Sequence, residues 1–365
     1  MDWWKAGWWW GALVAILVLG WPWAAPAAPA DDPAASPATV GGAVSPDPMT
    51  TAGPGVTDPP AAGTASPTRV EVGLYVIDLA KLDMKESEFF ADFYIWFKVA
   101  SAPGFPWTPD TLEFMNGAVE SMSPLASEPL DDGRVYWTRR VKGRFRGQFR
   151  LQRYPFDAQE LPLVFEDSEH PSSEVVFERD ATTSADILTW IDPKLEVPDW
   201  RITAAALDTG VHHYVTGFGL ATATDDSESK YARLTFRVRL TRLFVPHLIK
   251  FVIPLLVIAG MAYMVFWIHF AEFETQCAIC VTALLSAVAL HNSQADSLPA
   301  VGYMVMADKV FILFYIVIFS ALVQTVWANN LAKAEQVDAA QRLDDVFRWF
   351  FPLALVVGSV FIWVS

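Results

Sequence analysis

Between residues 68 and 242, apolar side chains recur at every second position. In EFFADFYIWFKV the odd residues Phe89, Ala91, Phe93, Ile95, Phe97 and Val99 are apolar, while Asp92 and Lys98 share the other parity with Phe90, Tyr94 and Trp96. In RLTFRVRLTR, Leu234, Phe236, Val238 and Leu240 alternate with Arg233, Thr235, Arg237, Arg239 and Thr241. A period of two marks strands that bury one face. Turn pairs such as Pro103-Gly104, Asp132-Gly133 and Thr209-Gly210 separate them, and a β-sandwich of about ten strands accommodates the pattern.

After Arg242 the alternation gives way to long apolar runs. Residues 243–268, 301–328 and 346–364 each approach or exceed the ~20 residues that cross hydrocarbon, and 274–296 lies between the first two, so 243–365 reads as a four-helix membrane domain. The chain begins with Lys5, an apolar run from Trp8 to Leu19 and small-x-small triplets at 25–30, the layout of a cleavable secretory signal over residues 1–30. Residues 31–67, almost entirely Ala, Pro, Thr, Gly, Ser and Asp, read as a disordered tether. An exported sandwich followed by four spans returns the C-terminus to the outer side.

Charge and cysteine usage narrow the partners. Between residues 31 and 244 there are 32 acidic against 20 basic residues, a balance that attracts cations and argues against nucleic acid. The basic run from Arg139 to Arg153 alternates mostly with Phe or Gly, as on a solvated strand face. Both cysteines, Cys277 and Cys280, lie in the second span, so the exported domain folds without disulfides. Their Cys-x-x-Cys lacks the further ligands of a zinc site and the strand-loop-helix setting of a redox motif. No triad, nucleophile elbow or metal cluster points to an enzyme, and no cofactor is implied.

The second span, ETQCAICVTALLSAVALHNSQAD, is too polar for a simple anchor. Steps of three and four residues place Glu274, Ala278, Thr282, Leu285, Ala289, Asn292 and Asp296 on one helical face. Ionisable groups at membrane depth are costly unless they meet water or a partner, so this stripe is expected to line an aqueous path. One stripe cannot enclose a pore, which calls for several copies around an axis. Rings of Glu274 and Asp296 would gather cations at the two mouths, and a ring of Leu285 would close by dewetting. The alternative is polar helix packing inside a non-conducting bundle, in a membrane-tethered binding or sensor protein.

Several motifs resemble those of prokaryotic pentameric ligand-gated ion channels, relatives of the Cys-loop receptors. RYPFDAQEL (residues 153–161) is similar to that family's aromatic-Pro-Phe-Asp-x-Gln loop, and VIDLAKLDMKESEFFADFYIWFKV to its first hairpin. WTPDTLEFMN (107–116) resembles a ligand-site loop, Arg242 matches the Arg where the last strand joins the first span, Pro254 the Pro within that span, and SLPAVGYM, with Pro299 and Tyr303, the linker from second to third span. The resemblance covers about residues 68–365. It departs at the disulfide that names the group, whose cysteine positions fall on Gly147 and Leu161, and at a short inner loop (329–344) that leaves no room for a large intracellular domain.

The resemblance implies a homopentamer in a bacterial inner membrane, with a periplasmic ligand-binding sandwich and a pore in the register read above. Glu274 would stand at the inner mouth, Leu285 at the gate and Asp296 at the outer mouth. It also implies that Asp83 and Glu86 at the hairpin tip, Phe156, Asp157, Arg242 and Pro299 couple the domains, with Arg242 paired to Asp157 or Glu86. For the agonist site it implies a principal face with Phe114, Glu166, Asp167, Tyr214, Phe218 and Tyr231, and Tyr94, Trp96 and Trp137 from the neighbouring subunit. Ser168 stands where amine-gated relatives carry an aromatic. The expected partners are therefore the bilayer, monovalent cations, and a small-molecule, proton or divalent-ion agonist, with calcium as a modulator.

Overall fold

Why the alternating segments make two sheets is visible in their parity. The computed structural model describes residues 66–100, 107–216, 230–269, 271–296 and 298–364; the expected leader 1–30, the tether up to residue 65, and Phe218 lie outside these. β1 (Thr68–Asp83), β2 (Glu88–Ala100), β4 (Gly117–Met122), β5 (Ala126–Pro129), β6 (Arg134–Arg146) and β8 (Val175–Arg179) form one sheet in the order β4-β6-β2-β1-β8, with β5 also on β6. β3 (Leu112–Phe114), β7 (Ala158–Pro171), β9 (Trp200–His213) and β10 (Lys230–Arg242) form the other in the order β3-β7-β10-β9. Only β1 and β8 pair in parallel among these strands.

The odd residues of β2 are buried throughout, as are Leu234, Phe236, Val238 and Leu240 of β10. They meet Phe145 and Phe165 in one apolar core between the sheets. Fully burying each such side chain is worth about 1.5–3 kcal/mol, so register slips that reverse the parity are strongly disfavoured.

At the β1–β2 pair, Gly73 sits opposite Trp96, and a Cβ at Gly73 would collide with the indole. The indole Nε1 donates to Asp180 Oδ2 at 2.8 Å, Lys98 Nζ lies 2.8 Å from the same oxygen, and Thr182 donates twice to Oδ1. Burial alone would raise the Asp180 carboxyl, but these donors outweigh it and hold it down to about 2, from 3.8. A depressed carboxyl stabilises the fold above the unfolded value and loses that contribution as pH falls through the folded one. Asp180 is thus expected to contribute about 2 kcal/mol at neutral pH. Thermal unfolding should show Asp180→Asn lowering stability at neutral pH and flattening the acid decline between 3.8 and 2.

Among the described residues four helices follow, each long and apolar enough to cross a membrane: α1 (Val245–Trp267), α2 (Phe273–Ala295), α3 (Met306–Lys333) and α4 (Val337–Val364). In α1 a π-helical turn, Leu248–Val252, precedes Pro254, which has no N–H to donate and crowds the carbonyl four residues back. Ala259, Ala262, Ala283, Ala287 and Ala321 are fully buried between helices, where small side chains permit close approach.

Two boundaries differ from those predicted from hydropathy. α3 starts at Met306 rather than 301, because 298–305 is an irregular linker with bends; Asp308 then accepts from the Val305 N–H at 3.1 Å and caps the helix. α4 starts at Val337 rather than 346, so residues 334–336 join the helices where a loop of about sixteen was expected. Hydropathy marks where lipid ends, whereas VDAAQRLDD (337–345) is free of Pro and Gly and is helical beyond it. Ala340 and Asp344 are buried in this extension, Asp344 accepting from Gln324 of α3.

Candidate functional site: an exposed helix face, a domain junction and a Tyr/Glu cluster

The α2 stripe is intact. Glu274, Ala278, Thr282, Leu285, Ala289, Asn292 and Asp296 are all exposed, Leu285 by 64%. Gln276, Cys280, Ala283, Ala287 and Gln294 are buried on the other side, where α1 and α3 pack. Of the two glutamines among them, Gln276 donates to Ile268 O at 2.8 Å and Val265 O at 3.3 Å, closing the end of α1. Polar packing therefore uses the back of α2 and leaves the stripe exposed among the described residues. Cys277 is half-buried and Cys280 buried, neither on the stripe.

At the junction, Arg242 takes Asp157 and not Glu86. Its Nε and Nη2 donate to the two carboxylate oxygens at 2.7 and 3.0 Å, with both side chains buried. The guanidinium lies 4.1 Å from the Trp200 ring centre and 4.9 Å from that of Tyr154. Gln159 joins Asp157 and exchanges bonds of 2.9 Å with the Arg150 backbone, so the 150–159 loop is held from within.

That loop meets the helices directly. Gln152 O accepts from Met306 N at 2.9 Å and Tyr154 O from Ala307 N at 3.2 Å, satisfying the free donors at the start of α3. The Tyr303 hydroxyl accepts from Leu151 N at 3.2 Å. Phe156 packs on Phe244 at 5.8 Å and, edge to face, on Trp363 of α4 at 5.3 Å. Leu151, Tyr154, Val305 and Ala307 form a small core, joined by Met84, Leu298 and Val301, with Pro299 half-buried between the last two.

The hairpin tip contributes differently from expectation. Asp83 Oδ1 accepts from the Lys85 and Glu86 N–H groups at 2.9 and 3.1 Å, capping the turn, and Glu86 is exposed. Met84 is the tip residue that packs, touching both the sandwich core and the junction cluster. The visible signal for it is a lone apolar residue in LDMKES, too slight to single out from the sequence.

The expected agonist residues divide by strand parity. Glu166 and Arg233 pair across β7 and β10 and face away from the core. The Tyr214 hydroxyl donates to Glu166 at 2.6 Å, and Tyr231 and His212 ring Tyr214 at centre distances of 5.9 and 4.6 Å. Burial, then the Glu166 charge, pushes the Tyr214 phenol up. Sequence reasoning missed Arg233, which reads as one member of an alternating solvated face until its cross-strand partner is known.

Of the other expected contacts, Asp167 is buried, Phe114, Trp137 and Trp96 are half-buried against the chain's own residues, and Tyr94 is exposed. Phe114 opposes Phe165 and packs edge to face on Phe93, Phe145 and Phe165. Asp167 has no exposure and accepts from Trp107 Nε1, Thr111 Oγ1 at 2.9 Å and the His170 N–H at 2.8 Å. Trp137 opposes Phe97 and leans on the core, the reverse face from Tyr94 and Trp96. Trp96 is held by Asp180 and Trp190. Tyr94 remains 42% exposed, with Arg140 over its ring at 5.7 Å. Arg140 in turn chelates Asp92; burial would raise that carboxyl, but Arg140 and Lys142 hold it low.

Comparison with known proteins places this architecture. Residues 251–339 match the family model described as the neurotransmitter-gated ion-channel transmembrane region. The chain is 24% identical over 289 residues to gamma-aminobutyric acid receptor subunit gamma-1 of Homo sapiens, a match covering 71% of this chain and 57% of that one. It is 24% identical over 233 residues to subunit gamma-4 of Gallus gallus, covering 62% and 47%. The chain thus spans about half the length of the curated relatives it matches. Among the described residues, ten strands in two sheets lie ahead of the four apolar helices, and the chain is similar to neurotransmitter-gated ion-channel subunits.

Proposed function

We propose that the protein is a ligand-gated, cation-selective ion channel, assembled as a homopentamer in a bacterial inner membrane with its sandwich outside. The observation that carries this reading is the seven-residue α2 face, exposed along its whole length while the back of the helix is buried. Five such faces around an axis give an aqueous path with acidic rings of Glu274 and Asp296 and an apolar constriction at Leu285. Agonist binding at subunit interfaces shifts the closed–open equilibrium by its differential affinity. The shift passes through the Arg242–Asp157 pair and the 150–159 loop to the start of α3. Glu166 is already matched by Arg233 and Tyr214, which disfavours a free-carboxylate cage for an amine.

Recording from the purified protein in planar bilayers, with pH, amines and calcium varied across a sodium chloride gradient, tests this. Current reversing near the sodium potential supports it. Anion-selective reversal sinks the roles of Glu274 and Asp296, and absence of current under every condition sinks the channel reading. Glu166→Gln removes half of a charge-assisted pair worth ~1.5–3 kcal/mol and should move the agonist midpoint about tenfold or more. Phe114→Leu should instead lower the unfolding temperature and leave the midpoint in place. Equal midpoints for Glu166→Gln and the unaltered protein would remove the Tyr214 cluster from the agonist site.

A further inference from the structure

Beside the buried Gln276 and Gln294, α2 carries a half-buried titratable group off the stripe. His291 lies one residue before Asn292 of the stripe but turns toward α3, where its ring stacks on Phe311 at a centre distance of 4.5 Å and an interplanar angle of 7°. Nε2 is 3.1 Å from Asp308 Oδ1, and Nδ1 is 2.9 Å from the Tyr315 hydroxyl. A carboxylate only accepts, so Nε2 bears a proton and, in the neutral ring, Nδ1 accepts from Tyr315.

The arrangement also accommodates a second ring proton. Nδ1–H would then donate to the Tyr315 oxygen, whose own proton can turn to Ala287 O, 3.5 Å away. The Nε2 bond to Asp308 becomes charge-assisted, and such bonds are roughly twice as strong as neutral ones. No helix has to move for either state. The ionisable groups facing His291 are Asp308 and Tyr315 on α3. On its own helix Asp296 stands beyond it on the exposed side, Lys309 follows Asp308 on α3, and α1 carries His247 and Lys250 toward its sandwich end and Tyr263 near its far end.

Asp308 links this contact to the sandwich. Its Oδ2 caps α3 through Val305 N, and the next two N–H groups, of Met306 and Ala307, donate to the 150–159 loop. We propose that His291 is a positioning residue: with Asp308 and Tyr315 it clamps the sandwich-proximal half of the pore helix to α3, and the clamp tightens when the imidazole takes up a second proton, making gating pH-dependent. This rests on the channel reading above.

The test uses the full-length protein in reconstituted bilayers, recorded from about pH 8 to about pH 5, across the range in which histidine changes charge. In the unaltered protein the open-to-closed ratio should change by about fivefold or more over this range. His291→Gln, which can bridge but not titrate, and Asp308→Asn, which keeps the cap without the ion pair, should both conduct and both lose that step. A pH step of undiminished size in both variants overturns the clamp.

A readout without current separates the two ideas. If the unaltered protein never conducts, the channel reading fails, but acidification should still raise its unfolding temperature relative to His291→Gln. Parallel unfolding profiles for the two would overturn the clamp independently.

Discussion

Leu285→Ala is expected to pass current without agonist. The side chain is 64% exposed in the protomer, so its truncation removes little that stabilises the single chain. In the proposed pentamer the same residue meets its four copies, and the change takes three carbons from each of five side chains. At ~0.8 kcal/mol per buried methylene, even a tenth of the total lost from the closed state shifts the closed–open ratio nearly tenfold. Basal current in planar bilayers should rise by that factor or more, with the unfolding temperature almost unchanged. Unaltered basal and agonist-driven currents in a normally folded variant would return α2 to the status of a packed, non-conducting helix.

Asp157→Ala should be the most damaging single change at the domain junction. It strands Arg242, whose side chain is only 8% exposed, between Trp200 and Tyr154 without its bidentate partner. Removing one member of a buried pair costs about 3–5 kcal/mol. Arg242→Lys should recover little, because an ammonium cannot present two parallel donors or lie flat on the two rings. Glu86→Gln, at an exposed turn, should stay within about 0.5 kcal/mol. Thermal unfolding gives the ranking. A double-mutant cycle on agonist response then asks whether Arg242 and Asp157 act together in gating; additive effects would confine the pair to folding.

Much of the fold was legible because it rests on backbone periods. Strand alternation in EFFADFYIWFKV and RLTFRVRLTR places the buried residues on the observed faces, since successive Cβ atoms point oppositely whatever the tertiary setting. The α2 stripe was legible for the same reason at a period of 3.6, and the structure leaves all seven of its residues exposed. Helix ends were less legible: hydropathy stops at the lipid boundary, whereas α3 begins where Asp308 caps it and α4 where residues 334–336 turn.

The agonist residues fared unevenly because being near a site in the chain does not say which way a side chain points. Phe114, Asp167 and Trp137 have the composition of a binding site, yet their registers turn them inward, opposite Phe165, under Trp107 and opposite Phe97. Glu166, one residue before Asp167, turns outward and meets Tyr214 and Arg233. A shift of one position changes face, and only pairing between distant strands decides it.

From its sequence alone this protein is determined to have a two-sheet β domain, four apolar helices, and one helix with a continuous small and polar face. Those properties are local, set by side-chain spacing against the pitch of strand and helix. Tertiary structure alone decided that Arg242 closes on Asp157 and not Glu86, that Met84 carries the hairpin's contact with the junction, and that His291 turns from the stripe to Asp308 and Tyr315. Each of these joins residues distant in the chain, and a charge or an imidazole takes whichever partner the folded backbone brings within hydrogen-bond reach.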